Sequence, residues 1–576
     1  MDSREKYQQW LDDPHIDAKT KEELQKIKDN PQEIEDRFYT ELEFGTAGLR
    51  GVLGAGINRM NEYVVARATE GYANYLLGLN GARERGIILS YDSRNRSREF
   101  AERAAEVFLA KDIPVYMFST LHGVPPTSFG LQYYNCIGGV LITASHNPPE
   151  YNGYKVYGEN GAQIPPDVAE KVTESILAVS SFSASPRMPI AEGEKKGLFK
   201  WIGEEVDKAY YDYVEGLVVN PDSIKAAKDF RLVYTPLNGT GNVPLRKLFA
   251  DLGIEQVFIV KEQEAPDGNF PTLPDGPNPE LKTSYPLALK LAKEKQADLI
   301  LATDPDADRL GVVVCQQDDF HILSGNQIGS LLGHYLLSQK SLLGTLPDNA
   351  LVVRSIVTSK RLDAIAQKYG STLHEVLTGF RYVGEEMASA VQSGDFTFQF
   401  GYEEAFGYVV GDKVRDKDAI CAALIFLETA SYYAQKGMSL LDAIDELDEL
   451  YGYFRDGAKS FTLKGKEGLA KIQAAMAGLR KNPPAELAGE TVIALRDYQS
   501  HKRLELGSGT QSTIDLPESN VLYFELKDAW ICARPSGTEP KLKIYAEAKE
   551  NTAQAAEEKC QALLDAMTKV LETYLQ

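Results

Sequence analysis

Apolar runs alternate with amphipathic stretches along most of the chain, and this alternation predicts three successive α/β repeats. The first repeat has expected helices near 64–77 and 97–111, and strands at 86–92, at 113–119 and in a run that ends at Thr143. The second has strands at 231–235, 254–260 and 298–303 with helices near 242–252 and 284–296, and the third has strands near 350–357, 371–377 and 396–402. Such alternation indicates right-handed parallel crossovers, which place ligands at the carboxyl ends of strands.

The two ends of the chain depart from this pattern. Residues 1–40 carry Glu, Lys and Gln at helical density, which predicts one or two exposed helices. After a helical stretch over 416–452, a smaller α+β domain is expected. Its predicted elements are strands at 457–463, 491–498, 520–526, 529–533 and 542–548, and helices near 465–480 and from about 552 to the end.

Composition narrows the class of protein. A chain of 576 residues exceeds what one core supports, so about three to five domains are expected. The 83 acidic side chains outnumber the 62 Lys and Arg, which argues against nucleic acid or an anionic membrane as the main partner. Five cysteines without CxxC spacing indicate reduced thiols, and the charged N-terminus lacks a signal peptide pattern. We therefore expect a cytoplasmic protein.

The strongest chemical signal is the segment Thr143-Ala144-Ser145-His146-Asn147-Pro148, which follows the apolar run 137–142. A buried strand that opens into a sharp turn would hold the Ser145 hydroxyl fixed yet accessible. The Gly-x-Ser-x-Gly pattern of hydrolase nucleophiles is absent here. The sequence thus favours a phosphoryl group on Ser145 over acyl transfer.

A second signal is the group of alternating aspartates Asp304, Asp306 and Asp308, which follows the apolar run 298–303. Three carboxylates this close repel one another when all are ionised, and a bound hard cation such as Mg²⁺ would compensate that repulsion. An EF-hand would need Gly at Arg309 and Glu at Cys315, so this alternative is rejected. A solvated acidic turn is the remaining alternative.

Other polar segments could serve the same chemistry. The glycine-rich segment 44–51 predicts a loop around Arg50 that can approach a ligand, and Lys155 could move a proton or pair with phosphate. Glu403 and Glu404, on a Gly-flanked loop, could accept hydrogen bonds from sugar hydroxyls, and a pair of surface glutamates is the common alternative. A donor cluster suited to a phosphate dianion comprises Arg534, Ser536, Gly537 and Thr538. Nucleotide cofactors are not expected, because the sequence has neither a P-loop nor a complete dinucleotide fingerprint.

With these residues in order, the chain resembles the α-D-phosphohexomutase superfamily, in its phosphoglucomutase and phosphomannomutase branch. The resemblance spans nearly the whole chain through four segments: 143–148 is similar to the phosphoserine loop, 304–309 to the metal loop, 401–407 to the sugar loop and 534–541 to the phosphate loop. It implies four domains around a central cleft, three related α/β domains with mixed or parallel sheets plus a C-terminal α+β domain. The expected domains are 1–207, 208–322, 323–452 and 453–576.

The resemblance also implies roles for individual residues. Ser145 would be phosphorylated and would bind one Mg²⁺ per chain together with the three aspartates. His146, Lys155, Arg309 and Arg50 would surround the transferring group, with Lys155 as the acid or base. The remaining roles are substrate binding, by Thr378, Gly379, Arg381 and Glu403 at the sugar and by Arg534, Ser536, Gly537 and Thr538 at the phosphate that does not react.

The implied activity is reversible conversion of α-D-glucose 1-phosphate to glucose 6-phosphate, with glucose 1,6-bisphosphate as intermediate and activator. Ala405 stands where the sugar loop commonly has Ser, and Arg381 where glucose-type members usually have Lys. A phosphopentomutase, a phosphomannomutase or a bisphosphate-forming enzyme therefore stays open, as do a Mg²⁺-dependent phosphatase and a non-catalytic sugar-phosphate sensor. The expected partner is a small sugar phosphate, and the chain is expected to be a monomer or homodimer.

Overall fold

A computed structural model of the chain describes residues 2–45, 48–226, 229–316, 319–463, 465–536 and 541–575. The chain forms two compact units. Unit 1 comprises residues 1–325, 380–401 and 405–436, and unit 2 comprises residues 326–379, 402–404 and 437–576. The expected division into four domains at 207, 322 and 452 stays a prediction.

Up to residue 325 the chain starts with three helices and then mixes helices with strands, and the mixture from residue 62 onward agrees with the apolar pattern. The helices are α1 (Ser3–Asp12), α2 (Ala18–Lys26), α3 (Pro31–Phe38), α4 (Glu62–Leu77), α5 (Ala82–Arg85), α6 (Ser97–Ala110), α7 (Val124–Tyr133), α8 (Pro166–Leu177), α9 (Ile190–Lys195), α10 (Glu204–Glu215), α11 (Pro221–Ala226), α12 (Asn242–Asp251) and α13 (Pro286–Lys295). The strands are β1 (Leu49–Val52), β2 (Ile87–Tyr91), β3 (Val115–Phe118), β4 (Gly138–Ile142), β5 (Tyr151–Gly158), β6 (Phe199–Ile202), β7 (Leu232–Thr235), β8 (Val257–Ile259), β9 (Leu299–Thr303), β10 (Leu310–Gln316) and β11 (Asp319–Ile322).

The rest of the chain begins with a third α/β stretch and ends in a strand-rich region. The helices are α14 (Gly325–Leu342), α15 (Arg361–Lys368), α16 (Phe380–Ser393), α17 (Ala419–Gln435), α18 (Leu440–Tyr451), α19 (Gly465–Lys481) and α20 (Ala553–Leu575). The strands are β12 (Ala350–Ser355), β13 (Thr372–Val376), β14 (Thr397–Glu403), β15 (Gly407–Val410), β16 (Tyr453–Thr462), β17 (Glu486–Leu487), β18 (Glu490–Thr491), β19 (Ala494–Asp497), β20 (Lys502–Glu505), β21 (Gln511–Thr513), β22 (Leu522–Leu526), β23 (Ala529–Pro535) and β24 (Lys541–Glu550).

Unit 1 contains two mixed sheets with a similar plan. The first has the order β1-β5-β4-β2-β3-β6, with parallel pairing of β6, β3, β2 and β4 and antiparallel pairing of β5 and β1. The second has the order β11-β10-β9-β7-β8, in which β8, β7 and β9 are parallel and β10 and β11 are antiparallel. In both, the central strands are apolar and buried, as expected for strands covered on two faces.

The first sheet positions three candidate site residues by strand register. Lys155 on β5 lies opposite Leu141 on β4. Strand β4 ends one residue later, at Ile142, and the turn that carries Ser145 follows. Arg50 on β1 lies opposite Gly153 on the other edge of β5. The sheet therefore brings side chains that are about a hundred residues apart in sequence to one end of neighbouring strands.

The N-terminal region differs from its prediction. Residues 1–40 contain three helices, α1 to α3, and their apolar residues form a small core of their own. Trp10 lies at its centre, with its ring 5.8 Å from Phe38 and 5.6 Å from Tyr63, both edge-on. The expectation of one or two exposed helices is wrong, because each of these mostly polar helices carries one or two buried apolar residues.

The glycine-rich segment 44–51 also differs from its prediction. Its second half is strand β1, and Gly45 and Gly48 form an isolated bridge before it, while residues 46 and 47 lie outside the described residues. Gly48 has a φ of 79°, and a Cβ atom there would lie 1.8 Å from the carbonyl oxygen of Tyr154. The glycine therefore allows this segment to pair closely with β5 where a loop was expected.

Unit 2 contains a parallel pair and a larger antiparallel sheet. Strands β12 and β13 are parallel, with Leu351 opposite Thr372. Seven strands form the second sheet in the order β16-β24-β23-β22-β19-β20-β21. Its apolar face forms one core with helices α19 and α20, including the buried side chains of Met476, Phe524 and Leu563. This sheet agrees with the α+β domain expected for the C-terminal region.

Three further observations bear on the composition argument. All five cysteines carry free thiols, and four of them are buried. Within the described ranges, none of the helices combines the length and the apolar character that crossing a membrane requires.

Candidate active site

Ser145 lies in the turn that follows β4, and its backbone has an unusual conformation. Its φ of 52° falls in the left-handed region, which side chains other than glycine seldom adopt. Its hydroxyl Oγ lies 2.9 Å from Oδ2 of Asp304 and 3.1 Å from Nδ1 of His146. Its amide N–H donates to the hydroxyl of Thr143 at 2.8 Å. The serine oxygen is thus held directly against the carboxylate cluster.

The metal loop, residues 304–309, follows β9 in unit 1. Asp304, Asp306 and Asp308 are at most 1% exposed, and one carboxylate oxygen of each lies within 4.8 Å of the others. Within the part of the chain that the structure describes, Oδ1 of Asp306 and Oδ1 of Asp308 are buried without a hydrogen-bond partner. Buried carboxylate oxygens need a cation or a donor, so this cluster fits a hard metal ion. A solvated acidic turn is inconsistent with this burial.

Backbone N–H groups from three distant segments hold the metal loop in place. They donate to three consecutive carbonyl groups of the loop: Val124 to Asp306 at 2.8 Å, Thr240 to Pro305 at 2.9 Å and Ala419 to Ala307 at 3.1 Å. The contact at α7 is close, because a Cβ atom on Gly123 would lie 2.1 Å from the Asp306 carbonyl oxygen. The carboxylates therefore project from a backbone that is fixed on several sides.

Two lysines meet the aspartates. Nζ of Lys155 lies 2.8 Å from Oδ2 of Asp306 and 3.2 Å from Oδ2 of Asp308. Nζ of Lys417 lies 2.9 Å from the same oxygen of Asp308, a contact that we did not predict. The available signal was the charged run Arg415-Asp416-Lys417-Asp418 immediately before the apolar helix α17. Two ammonium groups thus share the space around the predicted metal ligands.

The carboxylates differ in their ionisation. Burial and the negative charges of Asp306 and Asp308 raise the pKa of Asp304 well above its ordinary value. Burial also acts to raise the pKa of Asp308, but Lys155 and Lys417 outweigh it and hold that pKa well below its usual range. Although burial opposes the charged form of Lys155, the same aspartates raise its pKa, so the lysine stays protonated.

The other predicted residues of the transferring site lie around Ser145. Arg50 donates to the side-chain oxygen of Asn147 at 3.1 Å. Arg309 forms a short ion pair with Glu280. Burial and the positive charges of Arg309 and Arg50 hold the pKa of His146 well below its ordinary value. Its imidazole is therefore neutral near pH 7 and can exchange a proton with the Ser145 hydroxyl.

Within the predicted sugar loop, 401–407, the two glutamates Glu403 and Glu404 belong to unit 2. Glu403 is the last residue of β14 and is 8% exposed, and its Oε1 accepts the N–H of Gly379 at 2.6 Å. Burial and the neighbouring charge of Glu403 raise the pKa of Glu404 to about 7. A pair of surface glutamates is therefore not what the structure shows. Thr378 precedes Gly379, while Arg381 lies in unit 1 on the first turn of α16 with its guanidinium 4.8 Å from the Tyr382 ring.

Both ends of the predicted phosphate loop, 534–541, belong to strands, since Arg534 lies in β23 and Lys541 in β24. Arg534 is part of β23, where it pairs with Lys543 of β24, and the loop starts at Ser536. The N–H of Ser536 donates to the carbonyl of Lys541 at 2.7 Å. Gly537 and Thr538 lie outside the described residues.

Four family models match consecutive parts of the chain. Their descriptions are phosphoglucomutase/phosphomannomutase alpha/beta/alpha domain I at residues 41–182, domain II at 208–317 and domain III at 324–451, and the C-terminal domain at 444–564. Together they span most of the chain in the order expected from the resemblance.

Relatives that carry the name phosphoglucomutase agree with these models. The chain is 35% identical over 516 residues to the phosphoglucomutase of Staphylococcus epidermidis, a match that covers 89% of this chain and 92% of the relative. It is 37% identical over 514 residues to the phosphoglucomutase of Staphylococcus haemolyticus, with 89% and 91% covered.

Solved structures show the same fold. A phosphoglucomutase/phosphomannomutase family protein of Burkholderia thailandensis has a TM-score of 0.64 at 19% identity, covering 92% of this chain and 97% of that one. Parafusin, a phosphoglucomutase from Paramecium, has a TM-score of 0.67 at 18% identity, covering 93% and 95%. Together, the four ordered models, the relatives that match along most of their length and this fold show that the chain belongs to the phosphoglucomutase/phosphomannomutase family of enzymes.

Proposed function

We propose that this enzyme interconverts α-D-glucose 1-phosphate and glucose 6-phosphate through a phosphoserine at position 145. The observation that supports this most directly is the position of the Ser145 hydroxyl, 2.9 Å from the buried Asp304 carboxylate. A serine on a strand-end turn beside a metal-binding triad suits reversible phosphoryl transfer. The name phosphoglucomutase, which these relatives carry, supports glucose as the sugar.

In the proposed cycle, the phosphoryl group leaves Oγ of Ser145 and bonds to the free hydroxyl oxygen of the bound sugar monophosphate. The hydroxyl proton is lost to a base, and Oγ of Ser145 regains a proton. The resulting glucose 1,6-bisphosphate turns over, and its other phosphoryl group returns to Ser145. Phosphoryl groups and protons are therefore conserved over one turnover.

The ionisation of nearby residues supports a scheme for the proton transfers. Lys155 is protonated and contacts the aspartates, so in this proposal it would donate a proton to the departing serine oxygen. The same lysine would take that proton back when the serine oxygen attacks in the return step, and His146, neutral and 3.1 Å from that oxygen, would hydrogen-bond to the serine hydroxyl in between. Lys417 supplies a second fixed positive charge for the dianionic group. Arg50 and Arg309 would contact the same phosphoryl oxygens.

Asp304, Asp306 and Asp308 would hold one Mg²⁺ together with a phosphoserine oxygen. When bound, the cation supplies neutralisation of the phosphoryl charge. The two unpartnered carboxylate oxygens support this assignment, since they are available as ligands.

The ends of the substrate would be bound by other residues. In this proposal Glu403, with Thr378, Gly379 and Arg381, binds the sugar hydroxyls. Its carboxylate is already oriented by the Gly379 amide at 2.6 Å. The distal phosphate would be bound by Arg534, Ser536, Gly537 and Thr538, within a C-terminal domain that starts near residue 453.

The central test is a comparison of wild-type enzyme with Ser145→Ala in Mg²⁺ and glucose 1,6-bisphosphate. We expect intact mass spectrometry to find one phosphoryl group on the wild-type chain and none at position 145 in the variant. We also expect the variant to lose mutase turnover. Wild-type turnover in Ser145→Ala would refute the proposal, and release of free phosphate in step with substrate loss would identify a phosphatase.

The sugar is tested separately, because Ala405 and Arg381 depart from the usual pattern. Values of kcat/KM for glucose, mannose and ribose 1-phosphates should be highest for glucose. A preference for ribose or mannose would assign a phosphopentomutase or phosphomannomutase with the same mechanism. Net accumulation of glucose 1,6-bisphosphate would assign a bisphosphate-forming enzyme.

The same proposal includes a cytoplasmic location and a monomeric or homodimeric state. Five free thiols are typical of a reducing compartment and support the first point. Sedimentation of the purified chain measures the second.

A further inference from the structure

Arg94 is a buried arginine beside the phosphoserine loop, and neither the sequence patterns nor the proposed reaction assigns it a role. Its side chain is 0% exposed. Nη1 donates to the carbonyl oxygens of Pro148 at 2.9 Å and Tyr151 at 3.1 Å. Nη2 donates to the carbonyl of Ser145 at 2.5 Å and, in a shorter bond, to that of Asn147. All four bonds end on one seven-residue segment, 145–151.

Residues outside the segment 145–151 contact Arg94 as well. Asp92 accepts the backbone N–H of Arg94 at 2.9 Å, and its second oxygen lies 3.5 Å from Nε. Ser97 donates to Asp92 at 2.7 Å, and the guanidinium carbon lies 5.1 Å from the centre of the Phe270 ring. The arginine is therefore fixed in orientation by a buried carboxylate and an aromatic ring.

The sheet supports the far end of this segment, where the N–H of Leu53 donates to Glu150 at 2.7 Å and Val52 pairs with Tyr151. Nearer Ser145, the backbone bonds are those from the N–H of Asn147 to Ala144 and from the N–H of Tyr151 to Pro148, both 3.1 Å. Ser145 also holds a left-handed φ of 52°, which is unfavourable for a residue with a side chain. A conformation of this kind persists only where its surroundings impose it. The hydroxyl of Thr143 holds the N–H of Ser145, and Arg94 holds its carbonyl.

We infer that Arg94 is a positioning residue for phosphoryl transfer, which keeps Ser145 in the left-handed conformation that aims its hydroxyl at Asp304. This inference rests on the proposed function, because it takes Ser145 as the phosphorylated residue. Arg94 touches only backbone carbonyls of the loop, so it acts through the position of the serine. A role confined to general stability would affect folding and leave the chemical step of the folded enzyme unchanged.

The test is Arg94→Lys, which keeps a positive charge beside Asp92 but cannot make four bonds in the same plane. We expect kcat to fall about 100-fold, because small displacements of a reacting atom have effects of that size. KM for glucose 1-phosphate should stay within about threefold, since the proposed sugar and distal phosphate contacts come from other segments. Phosphorylation of Ser145 by glucose 1,6-bisphosphate should slow by about the same factor as kcat.

A second readout does not depend on activity. Hydrogen exchange of the amides in residues 145–151 should accelerate in Arg94→Lys, while exchange in the strands of the first sheet stays unchanged. The matched control is Arg98→Lys, at an exposed arginine four residues away whose Nε lies 2.8 Å from Glu102. It should match wild type in both measurements. A folded Arg94→Lys enzyme with kcat within threefold of wild type would overturn the inference.

Asp92→Asn decides the question if Arg94→Lys does not fold. It keeps the arginine and removes the charge behind it, so kcat should fall about tenfold with little change in KM. A normal kcat and normal loop exchange in this variant would also overturn the inference. Ser145→Ala, assayed alongside, separates the two proposals: wild-type turnover there refutes the phosphoserine, whereas the exchange result for residues 145–151 stands by itself.

Discussion

Replacing Asp304 with Asn removes one of three clustered carboxylates, and we expect it to stabilise the metal-free protein while weakening metal binding. Burial and the other two aspartates raise the pKa of Asp304, so its ionised form is disfavoured in the fold. An asparagine oxygen can still accept the N–H groups of Asp308 and Arg309, which now donate to Asp304 at 3.0 Å each. The substitution therefore removes charge and keeps the backbone bonds.

The size of the effect follows from the spacing of the carboxylates. Their ligand oxygens lie within 4.8 Å of one another. At an effective dielectric constant of about 20, two unit charges at that distance repel by about 3 kcal/mol. The two lysines already screen part of this repulsion. We expect a net gain of about 1–3 kcal/mol in the free energy of unfolding without metal.

Asp308→Asn is the matched control, because it should act in the opposite direction. Asp308 pairs with Lys155 at 3.2 Å and with Lys417 at 2.9 Å, and its pKa is lowered. Removing one partner of a buried ion pair leaves the other charge uncompensated, which destabilises by about 3–5 kcal/mol. Both variants should bind Mg²⁺ more weakly than wild type.

The assay is urea unfolding in EDTA and in excess Mg²⁺, with Mg²⁺ affinity from calorimetry. The advantage of Asp304→Asn should vanish below about pH 4, grow as the pH rises from there towards the raised pKa of Asp304 in the native state, and stay constant above that pKa. The deficit of Asp308→Asn should likewise be present above about pH 4 and shrink as the pH falls through the lowered pKa of Asp308. A metal-free Asp304→Asn less stable than wild type at pH 7, or one with unchanged Mg²⁺ affinity, would refute the reasoning.

Three further predictions follow from single contacts. Lys417→Met should lower kcat by about 100-fold or more in the mutase assay, because it removes a fixed charge from the phosphoryl site, and unchanged kcat would exclude that role. Asp418→Asn should raise the free energy of unfolding by up to about 3 kcal/mol at pH 8 and leave it unchanged at pH 4, since burial raises the pKa of Asp418 to about 6; equal urea midpoints at pH 8 would contradict this. Arg354→Met should destabilise unit 2 by about 3–5 kcal/mol in urea unfolding, because it leaves Glu375 with one fewer of its arginine partners, and a midpoint within error of wild type would count against it.

The elements that sequence patterns predicted well are those whose apolar residues are buried by their own repeat. The helix expected over 97–111 is Ser97–Ala110, and the strand expected at 298–303 is Leu299–Thr303. Strand β5 was missed, although it carries Lys155, because Tyr151–Gly158 contains two internal polar residues and two glycines. Its strand state depends on pairing with β4 and β1, which lie at distant positions in the sequence.

The candidate site likewise contains residues that the local sequence identifies and residues that only the fold brings to the site. Ser145 and the three aspartates could be found because each directly follows an apolar strand. Lys417 could not be assigned from its neighbours, since its partner Asp308 lies more than a hundred residues earlier and only the fold brings them together. Arg94 was missed for a similar reason, because an arginine near a turn usually lies at the surface.

The three N–H groups that hold the metal loop have a consequence for the order of events during synthesis. The aspartates leave the ribosome well before Ala419, the last of the donors, and at usual elongation rates the delay is about 10 s. Until then the loop lacks one of its backbone anchors, so the nascent chain cannot present the carboxylates in their final arrangement. Metal capture should therefore be a late event in biogenesis, and a ribosome-bound chain that ends before residue 419 should retain little Mg²⁺.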